Sequence, residues 1–514
     1  MNGAESLTRT LVGGGVDVCF SNPGTSEMHF VAALDRVDGI RCVLGLFEGV
    51  VTGAADGYAR MADKPAATLL HLGPGLGNGL ANLHNAKKAF SPVVNVVGDH
   101  ATYHLKHDAP LTADIEGIAG PVSDWVRTSP NAITVAGDTA EAIAAAMAPP
   151  GQVATLILPA DTAWNESNGP AEVPAIAGRP AVSDAAIAEA VAALRTGETC
   201  VILMTGAALR EAGLDAAGRI AAATGARLMS QTSNGRLQRG AGRVRVSAVP
   251  YPVDMALGSL ADVQHIILVG AKAPVAFFAY PNKPSLLYPE GCQIHPLATI
   301  GDDLVGALEW LAEEVGAAPG SAVVEAPSRP ALPNGELTID SLAASVGALM
   351  PENTIVVDEG ITSGRGIPAM TRGAPPHDWL QITGGSIGIG PPLAVGAAVA
   401  CPDRPVVALQ ADGSSMYTIQ GLWSQARENL DITTVLFNNR SYACLHQELT
   451  KVGAENPGRK AMDMLNLDRP KLDFVSLARG MGVDSARVTT ADEFNNQLAA
   501  GLATRGPYLI EVML

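Results

Sequence analysis

An apolar run at Val406-Val407-Ala408-Leu409 breaks at Asp412-Gly413-Ser414, and a second run from Ile432 to Phe437 ends in Asn438-Asn439. Each run has the length and β-branching of a buried strand, while Ile419, Leu422, Trp423 and Ala426 between them keep helical spacing. Strand, acidic turn, helix, strand and amide turn make one βαβ unit. Asp412 and Asn439 then stand at the carboxyl ends of two strands, the edge where parallel sheets hold ligands. One carboxylate, one amide oxygen and a nearby backbone carbonyl suit a hard cation such as Mg²⁺, which usually completes its shell with water and a ligand's phosphates. The stretch therefore points to a metal-bridged diphosphate. The competing reading is an ordinary turn with a helix-capping aspartate.

The same alternation runs through the rest of the chain. Strands are expected at 16–20, 42–46, 67–70, 93–97 and 153–158, with a helix over 47–60. A second series places helices at 185–194 and 208–224 and strands at 200–204, 227–230, 266–269 and 292–295. A third runs from a helix over 337–349 to a last strand at 508–513. Aperiodic stretches rich in Pro and Ala, at 159–180 and 318–333, separate the series. The expected fold class is α/β, three consecutive doubly wound parallel-sheet domains at 1–165, 180–320 and 334–514. For 514 residues that count agrees with the usual domain size of roughly 100–200 residues.

Composition narrows the class of partner. A net charge of −17 argues against nucleic acid or an anionic membrane, where Lys and Arg lead binding. No apolar run approaches the roughly 18–20 residues of a membrane span, and the N-terminus lacks the basic and apolar regions of a signal peptide. The six cysteines have neither metal-like nor disulfide-like spacing, so a cytoplasmic protein with free thiols is expected.

Three first-domain residues could carry chemistry. Glu48 opens the helix in GLFEGVVTGAADGYAR, where the helix dipole by itself would favour a carboxylate. His71 ends a buried strand directly before what reads as a glycine loop, HLGPGLGNG; a histidine there either satisfies a turn or transfers protons near neutral pH. Thr25, in SNPGTSE, either caps the following helix with Ser26 or offers a hydroxyl to a ligand. Gly75, Gly77 and Gly79 do not keep dinucleotide-binding spacing. His100, His104 and His107 could line a pocket or share one solvated helix face.

Residues 411–442, ADGSSMYTIQGLW through NNRSY, resemble the diphosphate-binding signature of thiamine diphosphate (ThDP) enzymes, which opens with Gly-Asp-Gly and closes with Asn-Asn. The wording is similar to the decarboxylase and carboligase branch that includes benzoylformate decarboxylase and the acetolactate synthase large-subunit group. One departure is plain: Ala411 stands where the family usually has its first glycine. The resemblance implies ThDP and Mg²⁺ as cofactors, with Asp412, Asn439 and the Ser441 carbonyl as metal ligands. It implies cofactor contacts at Gly385, Ile387, Asp412, Gly413, Ser414, Asn439, Ser441 and Tyr442, with Ile387 as an apolar wedge. Glu48 would hydrogen-bond N1′ of the aminopyrimidine, His71 would exchange protons with the bound intermediate, and Thr25, Cys444 and Glu448 would face the substrate.

The implied reaction is decarboxylation of a 2-oxo acid to an enamine, then release as aldehyde or ligation to a second carbonyl as in acetolactate synthase. The alternatives are a non-ligating, benzoylformate-decarboxylase-like enzyme and, from another class, a non-catalytic ThDP-binding homologue. The implied assembly is a homodimer or homotetramer with active sites at the subunit interface. A second histidine of the benzoylformate branch should fall within GAKAPVAFFAYP, where this chain has Phe277, Phe278 and Ala279, so an aryl substrate is not expected. The middle domain offers only Thr205-Gly206 after a strand, so FAD is not expected either.

Overall fold

The structure, a computed structural model, describes residues 1–454 and 456–514. The first sheet has six strands in the spatial order Arg41–Leu44, Val18–Ser21, Ala66–Leu70, Val93–Asp99, Val153–Pro159 and Trp125–Thr128. Every neighbouring pair in it is parallel. Trp125–Thr128 escapes an apolar-run test because it mixes Trp and Val with Arg and Thr at half-buried positions. The second sheet orders Ser247–Ala248, Arg227–Ser230, Cys200–Met204, His265–Val269 and Gln293–Ala298, again all parallel.

The third sheet is mixed. Six parallel strands run Asp484–Val488, Tyr508–Met513, Ile432–Asn438, Val406–Ala411, Ile355–Glu359 and His377–Gln381. A seventh, Leu237–Arg239, adds antiparallel at the edge with His377 opposite Arg239. This corrects the expectation of a purely parallel third sheet, since the middle segment supplies its outer strand. The Arg239 guanidinium lies over the Trp379 ring, 4.8 Å from its centroid, and helps hold the strand there.

Small residues decide how the first and third units pack. The helices Glu48–Ala62 and Gly390–Ala400 approach so closely that a Cβ on Gly57 would lie 2.2 Å from the Leu393 carbonyl oxygen. A Cβ on Gly396 would lie 1.9 Å from the oxygen of Ala54. One core cluster accordingly joins Val51, Ala54 and Tyr58 to Leu393, Ala394 and Ala397. Gly75 and Gly79, after His71, serve a similar purpose. Residues expected as a loop form the helix Leu72–Ala89, because Gly79 and Gly75 lie against Thr52 and Glu48 and leave no room for side chains.

Arg60 ties all three units together. Its guanidinium pairs with Asp56 (Nε–Oδ1 2.8 Å) and donates to the carbonyls of Gly235 and Gln381 and to the Thr383 hydroxyl. The pair is almost entirely out of water, with side-chain exposures of 2% and 0%. Removing one partner of such a pair strands the other. Arg60→Ala is expected to lower stability by about 3–5 kcal/mol, measured by urea unfolding; a change below about 1 kcal/mol would show the joint to be idle.

Candidate active site

Three turns meet at the carboxyl edge of the first sheet. The strand Val18–Ser21 feeds residues 22–27, where Glu27 is buried and its carboxylate accepts from Gly24 N at 2.8 Å and Ser26 Oγ at 2.7 Å. His71 Nδ1 lies 2.9 Å from the same carboxylate. An acceptor there places the proton on Nδ1 and leaves Nε2 as the basic atom of the neutral ring. Leu72, fully buried, follows His71 in the left-handed region (φ 49°), a conformation that costs of order 1–3 kcal/mol and fixes how the strand hands over to the helix.

Glu48 completes this cluster. It is 8% exposed, accepts from Asn78 Nδ2 at 2.9 Å, and its Oε1 and the His71 Cβ each lie 3.2 Å from a Cβ built on Gly75. Thr25 is exposed and Ser26 bonds Glu27, and the following helix, Met28–Arg36, has no side-chain cap, so neither residue caps it as the alternative reading expected. Glu27 was not singled out from sequence. Its signal is an acid two residues beyond Thr25, but its contact with His71 spans 44 residues.

The second cluster lies at the carboxyl edge of the third sheet. Asp412 and Asn439 follow adjacent parallel strands, as the βαβ reading requires. Asp412 is 2% exposed; Oδ1 accepts from Gly413 N (2.8 Å) and Oδ2 from Arg440 N (2.6 Å). Burial pushes its carboxyl above the ordinary carboxylate range, against the pull of those backbone amides. A divalent cation would reverse that penalty. Asn439 Oδ1 accepts from Ser441 N at 3.0 Å, and backbone bonds from Tyr442 N to Leu465 O and from Leu467 N to Arg440 O pin the turn.

The Tyr442 ring covers Gly413, where a Cβ would lie 2.4 Å from Cε1. Gly388, beside the half-buried Ile387, packs against Tyr417 and the Ser414 carbonyl. The donor set of carboxylate, amide and carbonyl oxygens fits Mg²⁺. Among the described residues no cluster of three or more His, Cys, Asp or Glu suits a metal, so a site built on one carboxylate is what this edge offers. Ala411 adopts φ −81° and ψ 148°, ordinary extended backbone, so the departure from glycine carries no strain.

The helix Leu72–Ala89 links the clusters. Asn82 Nδ2 donates to Gly49 O at 2.7 Å and faces Gly388 O at 3.5 Å, while Asn85 grips the Gly384 N–H and the Ser386 carbonyl. The middle unit closes the edge from the side. The exposed Phe277 brings Cζ to 3.0 Å of a Cβ built on Gly385, and Tyr280 Oη donates to Glu448 at 2.8 Å. Cys444, half-buried beside them, has its thiol pushed up by burial. His104 and His107 are exposed, and with His100 they follow one another as tilted rings, centroids 5.5 and 5.7 Å apart, along a loop and one 3-10 turn rather than on one helix face. A cavity of about 340 Å³ between the first and middle units, lined by Arg60, Arg210 and Arg236, includes none of these site residues.

Similarity to known proteins covers both clusters. The N-terminal TPP-binding domain of thiamine pyrophosphate enzymes matches residues 1–118, and the corresponding C-terminal domain matches residues 365–512. A Mycobacterium tuberculosis protein provisionally named an acetolactate synthase large subunit is 57% identical over 517 residues, covering 100% of this chain and 99% of the relative. Benzoylformate decarboxylase of Pseudomonas aeruginosa is 29% identical over 534 residues, covering 97% and 96%. The solved ThDP-dependent 4-hydroxybenzoylformate decarboxylase of Rhodococcus jostii superposes with a TM-score of 0.86 at 25% identity, covering 100% of this chain and 99% of that one. Both edges that gather the site residues thus lie within the matched domains, and this chain belongs to the thiamine pyrophosphate enzyme family.

Proposed function

We propose that this enzyme is a Mg²⁺-dependent 2-oxo acid decarboxylase whose dominant outcome is ligation to a second carbonyl, acetolactate-synthase-like. Its relatives carry names from both branches, ligating and non-ligating. The observation that favours ligation is Phe277 against Gly385, an apolar ring at the cofactor loop in the segment where the benzoylformate branch keeps a histidine. Bound ThDP supplies the nucleophilic carbon and the electron sink for CO₂ loss. Asp412, Asn439 and the Ser441 carbonyl hold the metal, while Gly385, Ile387, Gly413, Ser414 and Tyr442 shape the cradle. Glu48 bonds the aminopyrimidine N1′. His71, oriented by Glu27, moves protons at Nε2.

Thr25, Cys444 and Glu448 face the substrate in this scheme. Two chains build each site in a homodimer or homotetramer of a cytoplasmic protein, with domain limits at 1–165, 180–320 and 334–514 and no flavin in the reaction. Among the described residues no helix is long and apolar enough to cross a membrane.

Product analysis tests the outcome. Pyruvate alone, and pyruvate with an aldehyde, should give acetohydroxy acid or acyloin; aldehyde as sole product would favour the benzoylformate-decarboxylase-like alternative. Introducing an imidazole with Phe277→His should raise the ratio of aldehyde to ligation product by about tenfold, less than the ~10²–10⁴-fold of a fully positioned proton donor because position 277 is exposed. An unchanged product ratio would remove Phe277 from the partition.

A further inference from the structure

Glu359 has no part in that scheme, yet it lies between the two turns that would hold the cofactor. It ends the strand Ile355–Glu359 and is 1% exposed. Oε1 accepts from Gly388 N at 2.6 Å and Ile389 N at 3.3 Å; Oε2 accepts from Gly390 N at 2.8 Å and Gln410 Nε2 at 2.9 Å. The backbone donors belong to the start of the helix Gly390–Ala400, where a carboxylate is electrostatically favoured. Gln410 stands opposite Glu359 in the parallel pair, and its Nε2 also bonds Ser414 Oγ at 2.8 Å. A continuous chain of hydrogen bonds therefore joins the turn after Ile387 to the turn after Asp412. Gly390 leaves it room, for a Cβ there would lie 1.8 Å from Gln410 Oε1 and 2.9 Å from Glu359 Oε2.

We propose that Glu359 and Gln410 are positioning residues that set the spacing between the aminopyrimidine and diphosphate halves of the cofactor site, a role that rests on the cofactor placement given above. Helix capping by itself needs only Glu359. The arm from Gln410 to Ser414 adds nothing to the cap and reaches only the diphosphate turn. Glu359→Gln cannot be absorbed by flipping the new amide, because each carboxylate oxygen already receives two donors and either orientation sets N–H against N–H. Gln410→Leu keeps the three backbone bonds of the cap and removes the link.

The test is calorimetric titration of ThDP, at saturating Mg²⁺, into full-length apoprotein of the wild type and both variants, with apoprotein melting measured alongside. Gln410→Leu should raise the ThDP Kd at least about tenfold while the melting temperature stays within about 2 °C of wild type. Glu359→Gln should raise the Kd and lower the melting temperature together. A Gln410→Leu Kd within about twofold of wild type, or an affinity loss matched by a loss of melting stability, would overturn the inference. A wild type that takes up no ThDP would instead bring down the cofactor placement, and this inference with it.

Discussion

Glu48→Gln is expected to lower turnover by about 10³-fold, within the range set by a lost proton-transfer group, while ThDP still binds. The substitution keeps the shape of a side chain that is 8% exposed and keeps an acceptor for Asn78. In the proposed scheme it removes only the ability to hold and release a proton at the aminopyrimidine. Binding should survive because the diphosphate and metal are assigned to residues of another domain, Asp412, Asn439 and Ser441. Steady-state CO₂ release and calorimetry on the same preparations separate the two quantities. A variant retaining more than about a tenth of wild-type turnover would take Glu48 off the proton path. A wild type that binds ThDP but turns over no 2-oxo acid would favour a binding-only role.

Asp412→Asn should fail at the other step. The buried carboxylate is held by the Gly413 and Arg440 amides, and burial pushes its carboxyl upward. A bound cation would relieve that cost. An asparagine amide removes the charge and turns one oxygen into a donor facing a backbone N–H. The Mg²⁺ concentration for half-maximal ThDP binding is expected to rise at least about 100-fold, equivalent to ~2.7 kcal/mol. Titrating Mg²⁺ against ThDP binding checks this, and an unchanged midpoint would place the metal elsewhere.

Much of this site was legible before any fold was known. Short apolar runs and turn residues placed Asp412, Asn439 and His71 at strand ends, and the structure keeps them there. Gly75 and Gly79 misled, because a turn and a tightly packed helix both select glycine and only the neighbour distinguishes them. That neighbour is the helix beginning at Glu48, far away in sequence. Leu237–Arg239 was invisible for a related reason: three half-buried residues have no period until they find an edge to pair with.

What the sequence by itself determined is where the longer apolar strands end, and hence that Asp412, Asn439 and His71 reach carboxyl edges, because periodicity and turn chemistry are local. Tertiary structure alone decided which edge residues meet. Glu27 reaches His71, Phe277 reaches Gly385, and Glu359 reaches the Gly388–Gly390 amides through packing of separate strands and domains. It also settled Ala411, whose φ of −81° no composition rule could supply. A backbone angle at a strand end is set by the sheet that holds it.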